Sequence, residues 1–460
     1  MKQKVLLLYL ESGFGHISAM DSVYHALSEK YSDRYEVQKS YIMREDGFEH
    51  LTWMEQFFCK QVENTNKIPG FGKFVFWFIS LLGGHHLIRF FHRQMAVRSF
   101  REGLEALRRR NPDVIVANHY FTDLLAVEYK RRINPNCVVI NYNPDNTLHT
   151  FWDKRGGVFV VNSNIAWKRA LKLGFNEESL RLINPCVRDV VEKNTATRDE
   201  LREKHGLPKD KFTIVVADGG YMAGRGPKFA REIIKRKLPI TLCVITGKNT
   251  KRYEEFKAIA EGRNKRLKVD DAMTLKVYEF VPEAYELYGA ADVFLTKGGP
   301  NAVLDSIYMH TPVIIDYCPH VIEENTVRYF IDEHNCGETA FTKKKAVRRI
   351  RELMTDRSAL DGYIENIEKF IANGNGAIAL ADIIDEEASK AVQAVSELES
   401  AEPTAAQSYE DDSIVIGDAV SADVGDIAAD AEPTASDATD GDDDGIVIPE
   451  QVGSNLQPAK

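Results

Sequence analysis

The chain has 460 residues, 44% of them hydrophobic, and a formal net charge of −10, which is long enough for two domains and an extra segment. No stretch approaches the roughly 20 apolar residues of a membrane-spanning helix, and the apolar run at residues 5–10 is too short, with Glu11 directly after it, for a secretory signal. Cys59, Cys137, Cys186, Cys243, Cys318 and Cys336 form no CxxC pair, which argues for core thiols in a reducing compartment and against a zinc site.

In chain order, residues 4–10 read as a strand and residues 17–30 have helical spacing. Between them lies Glu11-Ser12-Gly13-Phe14-Gly15-His16. Its two glycines let the backbone approach a ligand, and the helix start beyond them favours an anion. Glu11 and His16 flank the turn, and either can accept a proton from a hydroxyl. A plain strand-to-helix turn would use the same residues. The spacing matches neither the dinucleotide fingerprint nor a P-loop.

Residues 68–110 break the rhythm. Phe74, Phe76, Trp77 and Phe78 sit in an intensely apolar run, followed by Arg89, Arg93 and further arginines to Arg110. Basic and aromatic residues beside a short apolar run suit a membrane interface carrying anionic lipid; a core helix with a basic solvated face is the competing reading.

Strands follow at 113–118, 137–142 and 158–161, with a helix at 122–131. His119 comes directly after the first of these and is as readily structural as catalytic. Asn143-Pro144-Asp145-Asn146-Thr147-Leu148-His149 ends the second. Asp145 and His149 can both face a ligand from there, though Asn-Pro-Asp is also ordinary turn chemistry.

A second series of strands, at 212–217, 240–246, 275–280, 293–296 and 313–316, alternates with helices. Short apolar runs alternating with helical patterns predict parallel sheets. Two series separated by the polar stretch 188–204 predict two doubly wound domains facing across a cleft, with ligands at the carboxyl ends of the strands. The four glycines of residues 218–226 can cradle a diphosphate with Arg225 as counter-charge; a flexible surface loop would look similar. Lys297-Gly298-Gly299-Pro300-Asn301 joins a strand to a helix and aims backbone N–H groups at one point. Asp305 lies one to two turns further on, placed for a group attached to that phosphate, such as a ribose. Helices at 342–391 close the second domain or cross back to the first.

The charge is unevenly spread. Residues 396–460 hold 17 Asp or Glu and one Lys, so this segment carries −16 and residues 1–395 a mild +6. The segment is poor in aromatics and is expected to be disordered. Ala401-Glu-Pro-Thr-Ala recurs at Ala431, and Asp412-Ser-Ile-Val-Ile recurs as Asp444-Gly-Ile-Val-Ile. These repeats can serve a protein partner by adding to a sheet edge, or be drifted duplications in a solubilising tail.

Taken together, these loops resemble one family. Residues 4–391 are similar to the two-domain (GT-B) glycosyltransferases of the monogalactosyldiacylglycerol synthase and processive diacylglycerol glucosyltransferase type, relatives of the peptidoglycan-precursor GlcNAc transferase. Residues 11–16 with Ser18-Ala19 resemble the family's Asp-Thr-Gly-Gly-Gly-His opening, and Asp145 to Trp152 its Thr-Asp-Phe-x-x-His-x-x-Trp segment. Gly219 and Gly220 through Gly226 match the second-domain glycine loop, and Thr246-Gly247-Lys248-Asn249 a Gly-x-Asn strand end. Tyr278-Glu279-Phe280-Val281 matches the Gly-Phe-Val turn whose backbone commonly holds uracil. Residues 297–305 match Lys-x-Gly-Gly-x-Thr-x-x-Glu, with Asp305 at the ribose-binding position.

The resemblance implies an α/β fold of two Rossmann-like domains, an acceptor and membrane-facing domain at 1–190 and a UDP-sugar domain at 191–395, followed by the acidic tail at 396–460. It implies inverting transfer of a hexose from a UDP-sugar to diacylglycerol or a related glycolipid. The site would be peripheral, at the cytoplasmic face of an anionic membrane, with no metal, no other cofactor and no nucleic acid. Glu11 or His16 would deprotonate the acceptor, with Asp145 and His149 nearby.

The chain also departs from the pattern. Asp305 and Glu11 replace Glu and Asp, and Ala302 replaces Thr. Where the family holds the sugar with a Gln-Glu or Gln-Gln pair, spacing gives Val321 and Ile322. His320 and Glu323 are the available substitutes, Glu324 follows, and Asn325 fits the family Asn. The departure keeps two alternatives open: a non-catalytic UDP-sugar-binding or scaffold protein, and a UDP-GlcNAc 2-epimerase-like enzyme, against which residues 68–110 argue.

Overall fold

The structure, a computed structural model, describes residues 2–10, 14–42, 48–53, 56, 97–222, 224–316 and 322–400. Side chains at 14–15, 322–326 and 398–400 lie outside that description. The strands form two six-stranded sheets, parallel throughout. The first contains β1 (Gln3–Leu8), β2 (Tyr35–Ser40), β3 (Val114–Ala117), β4 (Val138–Asn143), β5 (Val158–Val161) and β6 (Leu180–Leu182), in the order β2-β1-β3-β4-β5-β6. The second contains β7 (Thr213–Ala217), β8 (Thr241–Ile245), β9 (Thr274–Tyr278), β10 (Val293–Thr296), β11 (Val313–Ile315) and β12 (Gly337–Thr339), in the order β12-β11-β10-β7-β8-β9.

The central strands were legible because helices cover both faces. Val114-Ile-Val-Ala and Thr213-Ile-Val-Val-Ala are buried at every position, so they read as unbroken apolar runs. Three strands were not foreseen, β2, β6 and β12, and all three lie at sheet edges. Tyr35-Glu-Val-Gln-Lys-Ser is largely polar, and β6 and β12 have three residues each, too few to show a period.

Each sheet winds outward in both directions from a central pair. The reversal falls between β1 and β3 in the first sheet and between β7 and β10 in the second. At such a switch point the loops on either side leave in opposite directions and open a crevice at the carboxyl ends of the strands.

The chain does cross back. The last helix, Gly376–Ser400, packs Leu380, Ala381, Ile384 and Ala388 against Val5, Leu7 and Met20 of the first sheet's layer. Asn375 fixes the return: its Nδ2 donates to Val187 O at 2.9 Å and its Oδ1 accepts from Val187 N at 3.1 Å. Among the described residues no helix is long and apolar enough to cross a membrane.

Candidate active site at two switch points

At the second switch point the loop after β7 is built around a buried carboxylate. Asp218 Oδ2 accepts the Gly226 N–H at 2.5 Å. A Cβ at Gly224 would lie 2.5 Å, and one at Gly226 2.6 Å, from that same oxygen, so both glycines are required for the chain to fold over Asp218. Gly247 has φ +62°, and a Cβ there would stand 2.3 Å from Gly220 O; Lys248 N donates to that carbonyl at 2.7 Å. The loops after β7 and β8 are thus stitched together.

Gly220 and Gly299 are different. Among the described residues a Cβ at either meets nothing within 4 Å, so these residues leave the space beside them open. Gly298 takes φ +92° and Gly299 caps the helix Pro300–Tyr308, with Pro300 at its first position. The N–H groups of its first turn, including Asn301, have no partner inside the helix and point outward. Lys297 approaches from the other side: its Cε would lie 3.8 Å from a Cβ at Gly219. Asn249 caps the helix Thr250–Ala260 by accepting from Arg252 N at 3.1 Å, and its Nδ2 donates to Tyr221 O at 3.1 Å. Phe280 is 51% exposed with the Lys248 ammonium 5.4 Å from its ring centre, while Val281 packs on the core. An exposed ring beside an open, donor-rich turn offers a flat surface for a base and N–H groups for phosphates.

Two expected ligand contacts are already engaged within the protein. Arg225 donates from its guanidinium to Asp316 O at 3.1 Å and Phe341 O at 3.0 Å, and lies over the Phe229 ring. Asp305 is buried and bound by Arg188, Nη2 to Oδ2 at 2.5 Å. Burial pushes the Asp305 carboxyl up to about 6, and Arg188 opposes that rise. Arg188 lies on the segment joining the two sheets, between β6 and β7.

At the first switch point the groups are side chains. His16 Nδ1 lies 2.7 Å from Asn118 O, and Asn118 Nδ2 donates to His16 O at 2.7 Å. A carbonyl oxygen can only accept, so Nδ1 carries the proton in neutral His16 and Nε2 keeps the lone pair. His119 is buried and caps the helix Tyr120–Arg132, its Nδ1 accepting from Phe121 N at 3.2 Å. Its ring stands 5.4 Å from that of His16 and 4.0 Å from Tyr120, with Phe151 5.2 Å beyond Tyr120 and His149 5.8 Å beyond Phe151. His16 and His149 therefore belong to one chain of rings. Asp145 lies in the same loop as His149, at the carboxyl end of β4, where its carbonyl accepts from Asn143 Nδ2 at 2.8 Å. That loop is anchored from below, Asp153 N donating to the buried Asp123 carboxylate at 2.7 Å.

The two halves touch. The helix Phe14–Lys30 lies against Pro300–Tyr308, and Asn164 Nδ2 donates to Glu333 Oε1 at 2.6 Å. Glu11 and His320 lie outside the described residues. Glu323, Glu324 and Asn325 fall in the helix Ile322–His334 with their side chains outside the description. Phe74, Phe76, Trp77, Phe78, Arg89 and Arg93 also lie outside it. Sequence reasoning gave no role to Arg188 and none in particular to Asn118. The position of Asn118 at the end of β3 is a signal only once the strand order is known.

Two doubly wound six-stranded parallel sheets, each reversing at a central pair of strands, define the GT-B glycosyltransferase architecture. The chain superposes with a TM-score of 0.52 on MurG of Acinetobacter baumannii, covering 84% of this chain and 99% of that one at 12% identity. It superposes with a TM-score of 0.53 on the calicheamicin glycosyltransferase CalG4, covering 85% and 99% at 12% identity.

Within that architecture, residues 16–185 match the family model described as monogalactosyldiacylglycerol (MGDG) synthase. The processive diacylglycerol beta-glucosyltransferase of Bacillus licheniformis is 21% identical over 61% of this chain and 71% of its own length. Monogalactosyldiacylglycerol synthase 2 of Arabidopsis thaliana is 24% identical over 84% and 81%. The family read from the loop motifs is the one found: this chain is similar to these lipid glycosyltransferases, and the enzyme class implied by the motifs is the class of the proteins it matches.

Proposed function

We propose that the protein transfers a hexose from a UDP-sugar to diacylglycerol or a related glycolipid. The observation that carries this reading is His16. Its Nδ1–H is fixed by Asn118 O, which leaves Nε2 as the basic atom, on the half of the molecule whose loops match the diacylglycerol-using relatives. The acceptor hydroxyl gives its proton to Nε2 as its oxygen attacks the anomeric carbon. The carbon–oxygen bond to UDP breaks on the opposite face, so the configuration inverts.

UDP lies over the second switch point, the base beside Phe280 and the diphosphate against Gly220, Gly299 and the first turn of Pro300–Tyr308. Backbone N–H groups, the positive helix end and Lys297 stabilise the leaving diphosphate, and no divalent metal is required. Asp305 addresses the ribose from its pair with Arg188. The acceptor arrives from a membrane at the cytoplasmic face, through residues 68–110. Lipid glycosylation is favoured over a UDP-GlcNAc 2-epimerase reaction by the relatives of the first half.

The test is incubation of radiolabelled UDP-glucose and, separately, UDP-galactose with diacylglycerol liposomes, followed by lipid extraction. Labelled glycolipid from one donor is expected. UDP binding by calorimetry without any labelled lipid would sink the enzyme reading and leave a UDP-sugar-binding scaffold.

A further inference from the structure

At the opposite end of the second sheet, where β7 and β10 begin, the surface holds a cavity of about 520 Å³ lined by five basic and three acidic side chains. The length of β7, roughly 16 Å at the usual rise per residue, separates it from the glycine loops. Part of its charge is internally matched. Asp292 Oδ2 accepts from Arg202 Nη2 and from Thr213 N, both at 2.7 Å. The remaining Arg202 donors reach Ala290 O at 2.9 Å and Lys209 O at 3.0 Å. Lys209 pairs with Glu203, and Lys211 reaches Ala272 O.

Arg198 and Arg357 are left over. Both approach the other Asp292 oxygen, Oδ1, at 3.6 and 3.5 Å, too far for good hydrogen bonds. Arg198 donates once, to His310 O at 3.3 Å, and its Nε is buried with no acceptor among the described residues. Burial pulls its pKa below the ordinary guanidinium value, and Arg202 and Arg357 add to that pull against Asp292 and Asp199. Three guanidiniums therefore surround one carboxylate, with Arg202 filling its Oδ2 and Arg198 and Arg357 sharing its Oδ1 at long range. Arginine forks match phosphate oxygens in pairs, and a buried donor without an acceptor favours any anion that supplies one.

We propose that this cavity is a second ligand site, distinct from the switch-point site, and that it takes a compact phosphate-bearing anion held between Arg198 and Arg357. The phosphate can belong to a soluble diphosphate or to a lipid headgroup, and the test separates the two. Inorganic pyrophosphate is titrated calorimetrically into the full chain and into Arg198→Gln and Arg357→Gln. Arg357 is the safer variant, since its side chain is 54% exposed. In parallel, flotation is measured on phosphatidylcholine vesicles with and without phosphatidylserine.

A soluble ligand predicts a loss of pyrophosphate affinity of about tenfold or more in both variants, with UDP affinity unchanged. A headgroup ligand predicts unchanged pyrophosphate binding and loss of the phosphatidylserine-dependent flotation. The proposal is overturned if Arg357→Gln alters neither readout, or if UDP displaces all the bound pyrophosphate and flotation of the variant is also unchanged.

Discussion

The two switch points share a topology and differ in material. At the first, side chains shape the opening: His16, His119 and His149 with Tyr120 and Phe151, held by Asn118 and the helix cap. At the second, backbone does so, through Gly220, Gly247, Gly298 and Gly299 and a helix start. Moving a proton takes a titratable side chain, whereas a diphosphate is well held by fixed N–H dipoles that need room and no side chain. One topology can thus hold chemistry in one half and binding in the other. Deleting a side chain should damage the first half, and adding one should damage the second.

The largest effect belongs to His16. His16→Ala should lower kcat by roughly 10²- to 10⁴-fold, the usual worth of a general base, with UDP affinity by calorimetry unchanged. Transfer to diacylglycerol at the wild-type rate would move the base to another group and remove the contrast between the halves.

Asp305 tests whether the second half is purely a backbone site. Its carboxyl sits at about 6 because of burial, above the ordinary 3.8. The folded state therefore binds this proton more tightly than the unfolded state. The contribution of Asp305 to stability is best below about pH 4 and falls as pH rises to 6, by at most about 3 kcal/mol. Asp305→Asn should flatten that slope in urea titrations at pH 4, 5, 6 and 7. An undiminished slope would assign the pH dependence elsewhere. In the same preparations Asp305→Ala should weaken UDP about tenfold, the scale of a lost charge-assisted hydrogen bond; equal affinity would refute the ribose role and leave Arg188–Asp305 as a brace.

How far the sequence reached follows the same division. Apolar runs such as Val114-Ile-Val-Ala placed the central strands, because burial on both faces leaves no polar positions to blur them. The edge strand Tyr35–Ser40 has a polar face and was missed. Glycine turns were readable as candidate ligand loops, since glycine lets the backbone approach a ligand closely. Their individual reasons were not readable. Gly224 and Gly226 make room for the Asp218 carboxylate, whereas Gly220 and Gly299 face open space, and no one-dimensional spacing tells these apart. Partners more than 100 residues away, such as Arg188 for Asp305 or Asn118 for His16, are fixed by strand order and appear only with the fold.

That distinction between glycines gives the next test. Gly247→Ala should cost about 1–3 kcal/mol in folding stability, since both its left-handed backbone and its contact with Gly220 O oppose a Cβ. Gly299→Ala should cost little, because its φ of −64° suits alanine and no described residue fills the space. The same methyl should nonetheless lower UDP affinity about tenfold, as it enters the volume assigned to phosphate. Wild-type affinity in Gly299→Ala would place the diphosphate elsewhere.

Arg225 gives the smallest effect and the sharpest division of roles. Its guanidinium bonds two carbonyls, Asp316 O and Phe341 O, where β11 and β12 end. Arg225→Gln should therefore cost about 1–2 kcal/mol, the net worth of two such bonds, seen as a lower urea midpoint. UDP affinity should stay within about threefold, since Lys297 and the backbone remain to meet the diphosphate. A tenfold loss of UDP affinity with an unchanged midpoint would mean that Arg225 leaves its carbonyls when the nucleotide binds. The second half would then rely on a side chain as the first does, and the contrast between backbone and side-chain sites would no longer hold.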